Sequence, residues 1–280
     1  MEQTMESAVT DASPLVCVHG FSGSWRNWVP ITPALERHHR VYVARLAGHA
    51  RGSAWPSGAD ITVNVLADQL ERDLDAAALD RVHLVGNSLG GWLSLELAAR
   101  GRALSATALS PALGWHSGGM HLRTLNLKLS VARAVFSAIA PYAETVLKPS
   151  LLRRCLLNGA MAHSERISVV EAAAFVRDNL RCSVYQELKD SFLQVEAELG
   201  AIDCPVQIGW PEKDALIPQH PYGVRFPALV PHAKVTALAG VGHVPMYDDP
   251  GLVAAMIVEF TTSVDEARRQ SHAAYCAVEV

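Results

Sequence analysis

The stretch 84-LVGNSLGGWLSL-95 constrains the fold more than any other part of the chain. Its first half is apolar and strand-like, and its second half has helical spacing. A single small hydroxyl residue, Ser88, stands between them, with glycines at 86, 90 and 91. A strand that turns abruptly into a helix forces the central residue into a strained backbone conformation. Side chains two before and two after would then collide, so both positions call for glycine. Gly86-Asn87-Ser88-Leu89-Gly90 meets that demand as G-x-S-x-G. The hydroxyl is presented above the strand end, over a helix N-terminus whose dipole favours negative charge.

The remainder of the sequence supplies matching elements. Short apolar runs at Leu15–His19, Val41–Arg45, Val82–Val85, Ala106–Leu109, Val206–Gly209 and Lys234–Leu238 read as strands, several of them buried on both faces. Helices are predicted over 25–37, 62–78, 89–100 and 250–262. Asp249 caps the last, Pro250 opens it, and Gly101 closes the one before. This alternation predicts an α/β fold: a mostly parallel central sheet with helices on both faces. Nearly a hundred residues separate two of the strands, far more than an ordinary connection. The interval, with helices at Leu122–Ile139 and Ser164–Leu180, reads as a helical cap inserted at 113–200. The core is then 1–112 and 201–280. The polar tail from Ser263 is expected to be poorly ordered.

Composition narrows the classes of function. With 280 residues, half of them apolar, the chain can bury a sizeable core. A net charge of -4 argues against a nucleic-acid binder. The start, MEQTMESAVTDAS, lacks the basic and apolar pattern of a signal peptide, and no apolar run reaches the ~20 residues of a membrane span. Five scattered cysteines read as free thiols in a reducing cytoplasm. No cysteine or histidine pattern suggests a metal, and the reading requires no cofactor.

Serine is a poor nucleophile until a base takes its proton. Of twelve histidines, only His243 directly follows a late strand in a glycine turn, in 240-GVGHVPMYDDP-250. His220 and His232 lie in proline-rich turns, and His38 and His39 read as the end of an exposed helix. The base needs an acid to fix its tautomer and stabilise its cation. In 206-VQIGWPEKDALIP-218 a strand exits into a turn carrying Asp214, with Glu212 as the second choice. The loop after the preceding strand, 109-LSPALGWHSGG-119, holds no carboxylate. For the oxyanion, the amide of Leu89 follows the nucleophile, and Phe21 in 17-CVHGFSGSW-25 supplies the second donor.

These motifs, HGFSGSW at 19–25, GNSLGG at 86–91, GWPEKDALIP at 209–218 and GVGHVPMYDDP at 240–250, together resemble the α/β-hydrolase family, a serine-nucleophile, carboxylesterase-like member with a helical cap. The resemblance implies an eight-stranded sheet, the triad Ser88, Asp214 and His243, and an oxyanion hole from Phe21 and Leu89. Two departures stand out. Few residues precede the first strand, so the family's N-terminal hairpin is short or missing. In 44-ARLAGHARGS-53, Arg45, Ala47 and Ala50 replace the family's Asp, Pro and Gly. Epoxide hydrolases and haloalkane dehalogenases of this fold use Asp at the elbow, so Ser88 argues against both.

The leading expectation is a serine hydrolase of carboxylic esters acting on a small or medium, apolar small-molecule substrate. Opening of a lactone or thioester, or carbon–carbon cleavage, would use the same triad; Val244 stands where carbon–carbon cleavers usually carry an aromatic. A non-hydrolytic ligand-binding protein on this scaffold is a third reading. Trp25, Trp92, Trp115, His116, Trp210 and Met246 are candidates to line the substrate pocket.

Overall fold

The computed structural model describes residues 12–196 and 198–278, without the side chains of 272 and 274–278. Six parallel strands form the centre: β1 (Pro14–Val18), β2 (Arg40–Val43), β3 (Val82–Asn87), β4 (Ala103–Leu109), β5 (Val206–Pro211) and β6 (Lys234–Leu238). Their order across the sheet is β2-β1-β3-β4-β5-β6. The eight strands that the resemblance implies are thus six among the described residues. β3, β4 and β5 are buried along their whole length, whereas the edge strands β2 and β6 alternate or expose residues. This explains why the central strands read as continuous apolar runs.

Chain order reverses between β1 and β3, the position where loops diverge and leave a crevice at the strand ends. Three helices cover the sheet closely: α1 (Val63–Ala76), α2 (Leu89–Ala99) and, at the chain's end, α7 (Pro250–Val278). Thr62 caps α1 by accepting from the Val65 amide at 3.3 Å. Gly101, at φ 80°, ends α2, with the Arg102 amide donating to Leu97 O at 2.9 Å. The predicted 25–37 helix is instead two single turns, Trp25–Trp28 and Thr32–Leu35.

Between β4 and β5 the chain forms α3 (Met120–Ile139), α4 (Ser150–Leu157), α5 (Val169–Leu180) and α6 (Tyr185–Gln194). Phe136, Leu147, Leu157, Ala172 and Val176 give this insertion a small apolar core of its own.

Two expectations at the far end of the sheet are corrected. Among the described residues, the segment from Ser263 is helical, since α7 continues to Val278. Its Asp265 accepts from the Ser13 hydroxyl and pairs with His83 Nε2 at 3.1 Å. His39 is buried rather than at the end of an exposed helix, and its Nε2 bonds Thr261 Oγ1 at 2.7 Å. His39, His83 and Asp265 come together here, a cluster that residue spacing did not suggest. Burial, outweighing the nearby Asp265 carboxylate, lowers both imidazoles' affinity for a proton.

Candidate active site

The elbow has the backbone that its glycines foretell. Ser88 lies at φ 58°, ψ -119°. The Ser88 amide donates to Leu109 O at 2.9 Å, and its carbonyl accepts from Ala112 N at 3.1 Å. These bonds over-determine a conformation that costs of order 1–3 kcal/mol. A Cβ on Gly86 would strike the Gly90 carbonyl, and one on Gly90 would strike the carbonyls of Val18 and His19. Neither position has room for a side chain. The Ser88 side chain does not cap α2.

Beside it runs the loop after β1. A Cβ on Gly20 would stand 3.1 Å from both Asn87 O and Ser88 Cβ, so this backbone lies directly against the serine. His19 holds the loop: one ring nitrogen, Nδ1, donates to Gly20 O at 2.9 Å, and the other accepts from the Leu46 amide at 3.4 Å. Burial, then the neighbouring His49, pushes its pKa down to about 3, which keeps it neutral. The amides of Phe21 and Leu89 have no acceptor among the described residues. Two unpaired donors thus flank Ser88.

Asp214 and His243 meet on the loops after β5 and β6. His243 Nδ1 donates to Asp214 Oδ2 at 2.8 Å, with both side chains nearly inaccessible. Oδ2 also accepts from the Ser110 hydroxyl at 2.7 Å, while Oδ1 accepts from the amides of Leu216 (2.9 Å) and Ile217 (2.8 Å). Burial alone would push this carboxyl up. The facing imidazole, the hydroxyl and the Ile217 amide outweigh it and hold the carboxyl below its ordinary value. Glu212, the second choice, accepts from the Gly240 amide at 3.2 Å on an exposed turn. Ser88, His243, Phe21 and Leu89 all line one cavity of about 610 Å³.

Three supporting residues escaped the sequence reading. Asn87 donates to His243 O at 2.8 Å and to Leu109 O at 3.2 Å, tying the histidine loop to the elbow. Ser110 comes from the loop that lacks a carboxylate; it contributes a hydroxyl instead. Asp248 accepts three amides: Gly242 (2.7 Å) and Ala162 (2.9 Å) on Oδ2, and His163 (2.7 Å) on Oδ1. The Val244 amide adds a bond to Ala160 O at 2.7 Å. The histidine loop is thereby stitched to the insertion. Only the distant pairing of these groups reveals them, and no local pattern encodes it. Asp248→Ala strands three partly buried amides, and a loss of about 3 kcal/mol is expected. The urea midpoint measures that loss.

The candidate lining residues are placed as follows. Trp115 lines the cavity. Trp92 and Met246 are buried in the core, and Trp210 packs on Phe226 with its indole N–H donating to Ile217 O at 3.2 Å. Trp25 carries the Arg26 guanidinium over its ring at 5.0 Å, and exposed His116 bonds Glu196 at 3.1 Å. Those five do not line the cavity, because each is held by packing or pairing elsewhere. Aliphatic residues of α3 form much of the wall instead: Leu125, Leu127, Leu129, Val131 and Val135. Phe21 packs against Tyr185 and Phe192 of α6 at 4.6 and 5.0 Å between ring centres.

With this architecture, the chain belongs to the alpha/beta hydrolase family, whose match spans residues 15–256, and it is an enzyme of that family. Among similar proteins is the epoxide hydrolase EphH of Mycobacterium tuberculosis, 31% identical over 199 residues, which cover 70% of this chain and 93% of the relative. Lipase 1 of Psychrobacter immobilis is 25% identical over 249 residues, covering 87% and 75%. The crystal structure of a putative aryl esterase from Burkholderia cenocepacia superposes with a TM-score of 0.69 at 19% identity, covering 91% of this chain and 92% of that one. Among the described residues, no helix is long and apolar enough to cross a membrane.

Proposed function

We propose that this protein is a serine hydrolase of carboxylic esters with an apolar acyl or alcohol part. Ser88 attacks the ester carbonyl while His243 takes its proton and returns it to the leaving alcohol. Asp214 holds the imidazole with its proton on Nδ1, leaving Nε2 free to act as the base, and stabilises the cation that forms. The amides of Phe21 and Leu89 stabilise the oxyanion; one such donor is worth about 2.7–4 kcal/mol in comparable sites. Water then resolves the acyl-enzyme by the same route. The insertion roofs the cavity and acts as a cap.

The observation that carries this reading is the pair of acceptor-free amides beside a strained serine, in one cavity with a carboxylate-anchored histidine. The likeness to EphH raises epoxide opening as a rival. A carboxylate that opens an epoxide forms an ester, which water can cleave at its carbonyl. Ser88 would form an ether, which this site has no means to cleave. The serine therefore favours acyl transfer.

A series of p-nitrophenyl esters of rising acyl length, with styrene oxide alongside, tests the assignment. Turnover of the esters with kcat/KM rising with chain length is expected, since the wall is aliphatic. Diol formation from the epoxide without ester turnover would overturn it.

A further inference from the structure

The cavity reaches the surface between α3 and α4. The residues that both line it and stand exposed are Thr124, Leu127, Lys128 and Val131 of α3, and Cys155, Asn158 and Gly159 at and just past the end of α4. Two large apolar side chains stand in this rim, Leu127 at 64% and Val131 at 52% exposure, beside the polar Thr124, Lys128 and Asn158. Helical spacing places Met120, 71% exposed, on the same stripe, at i, i+7, i+11. One turn before Cys155 lie Leu151 and Leu152, also exposed. Exposed apolar side chains gathered on the helices beside a cavity mouth and rimmed by polar residues mark an interaction surface.

Charge is distributed just as unevenly. Residues 113–163 carry six basic residues and one acidic one, Glu144, although the whole chain has a net charge of -4. Arg123 and Lys128 flank the apolar stripe on α3, and Lys148 lies just before α4. Among the described residues no carboxylate pairs with these three. Lys128 Nζ donates only to Ala215 O, at 2.7 Å.

We propose that this face of the insertion docks on an anionic lipid surface, with the cavity mouth turned toward it. The apolar stripe would enter the acyl boundary while Arg123, Lys128 and Lys148 meet anionic headgroups, the combination by which peripheral proteins bind such membranes. An acyl chain would then pass from lipid to an aliphatic cavity without crossing water. Docking needs no catalysis, so this proposal stands or falls independently of the hydrolase assignment.

Vesicle flotation tests it with the full chain. Wild type is expected to float with vesicles of equal phosphatidylglycerol and phosphatidylcholine, and at least about tenfold less with phosphatidylcholine alone or at raised salt. Arg123→Glu/Lys148→Glu and Met120→Ser/Leu151→Ser should each reduce flotation by at least about tenfold. None of these four residues lines the cavity, and circular dichroism with a urea midpoint confirms that the variants fold. Absence of flotation by wild type, equal binding to neutral vesicles, or folded variants that float like wild type would overturn the proposal. Retention on heparin without vesicle binding would also overturn it, and would assign the basic face to a soluble polyanion.

Discussion

Replacing Ser88 with alanine is expected to abolish covalent labelling by a fluorophosphonate and to lower kcat by roughly 10⁴- to 10⁶-fold, the range for losing a serine nucleophile. The fold should survive. The elbow is held through the Ser88 backbone, by Leu109 O on one side and the Ala112 amide on the other. Its side chain caps nothing. Alanine has the same Cβ and tolerates φ 58° about as well as serine does. Residual binding is also expected, because the cavity wall and the two free amides remain. A variant that keeps KM for a good ester but loses kcat places the serine's role in bond making. Equal labelling of wild type and variant would remove Ser88 from the chemistry.

The elbow was legible in sequence because its constraint is local. The glycines at 86 and 90 are required by backbone contacts within one strand–helix turn and with the neighbouring β1. The parallel sheet was legible for a related reason: β3, β4 and β5 are buried on both faces and cannot alternate. The wall of the cavity was not. Leu125 and Val135 look like any helical apolar positions, and only the placement of α3 beside the cavity that holds Ser88 makes them part of its wall. Tryptophans near the motifs in sequence were drawn into the core by their size, as with Trp92 and Trp210. The C-terminal helix was misjudged for the opposite reason. Ser263 and Asp265 are polar, yet Asp265 reaches Ser13 and His83, partners about 250 and 180 positions earlier in the chain.

The same long-range logic governs Ser24 and Asp178. The Ser24 hydroxyl donates to Asp178 Oδ2 at 2.9 Å, and Arg26 Nε stands 3.3 Å from the same oxygen. Helix α5 of the insertion is thereby fixed to the loop that carries the Phe21 amide. Together with Asp248, this joins the insertion to both sides of the cavity: to the loop after β1 at Asp178 and to the histidine loop at Asp248. Movement of the insertion as a lid would have to break one or both of these links. The mouth between α3 and α4 offers a route for substrate that leaves both intact.

Asp214→Asn is expected to lower kcat about 10⁴-fold with a small change in KM, the size of effect seen when a triad histidine is left in the wrong tautomer. The local geometry dictates that tautomer. Two amides, from Leu216 and Ile217, donate to Oδ1. In the variant the one remaining carbonyl oxygen must serve them, because an NH₂ group there would face two donors. The NH₂ therefore takes the Oδ2 position, where it meets His243 Nδ1 and the Ser110 hydroxyl. It can only donate to the imidazole, so Nδ1 becomes the acceptor and the ring proton moves to Nε2. A nitrogen that bears a proton cannot take one from Ser88. The hydroxyl of Ser110 can turn and accept, which leaves the loop's bonds complete and the fold intact. Asp214→Ala should also lose activity, but for another reason: it strands two amides and the Ser110 hydroxyl, and the urea midpoint should fall with kcat. A slow Asn variant of unchanged stability, beside a slow and destabilised Ala variant, separates the carboxylate's electrostatic role from its structural one. Full activity in the Asn variant would show that His243 does not act as the base.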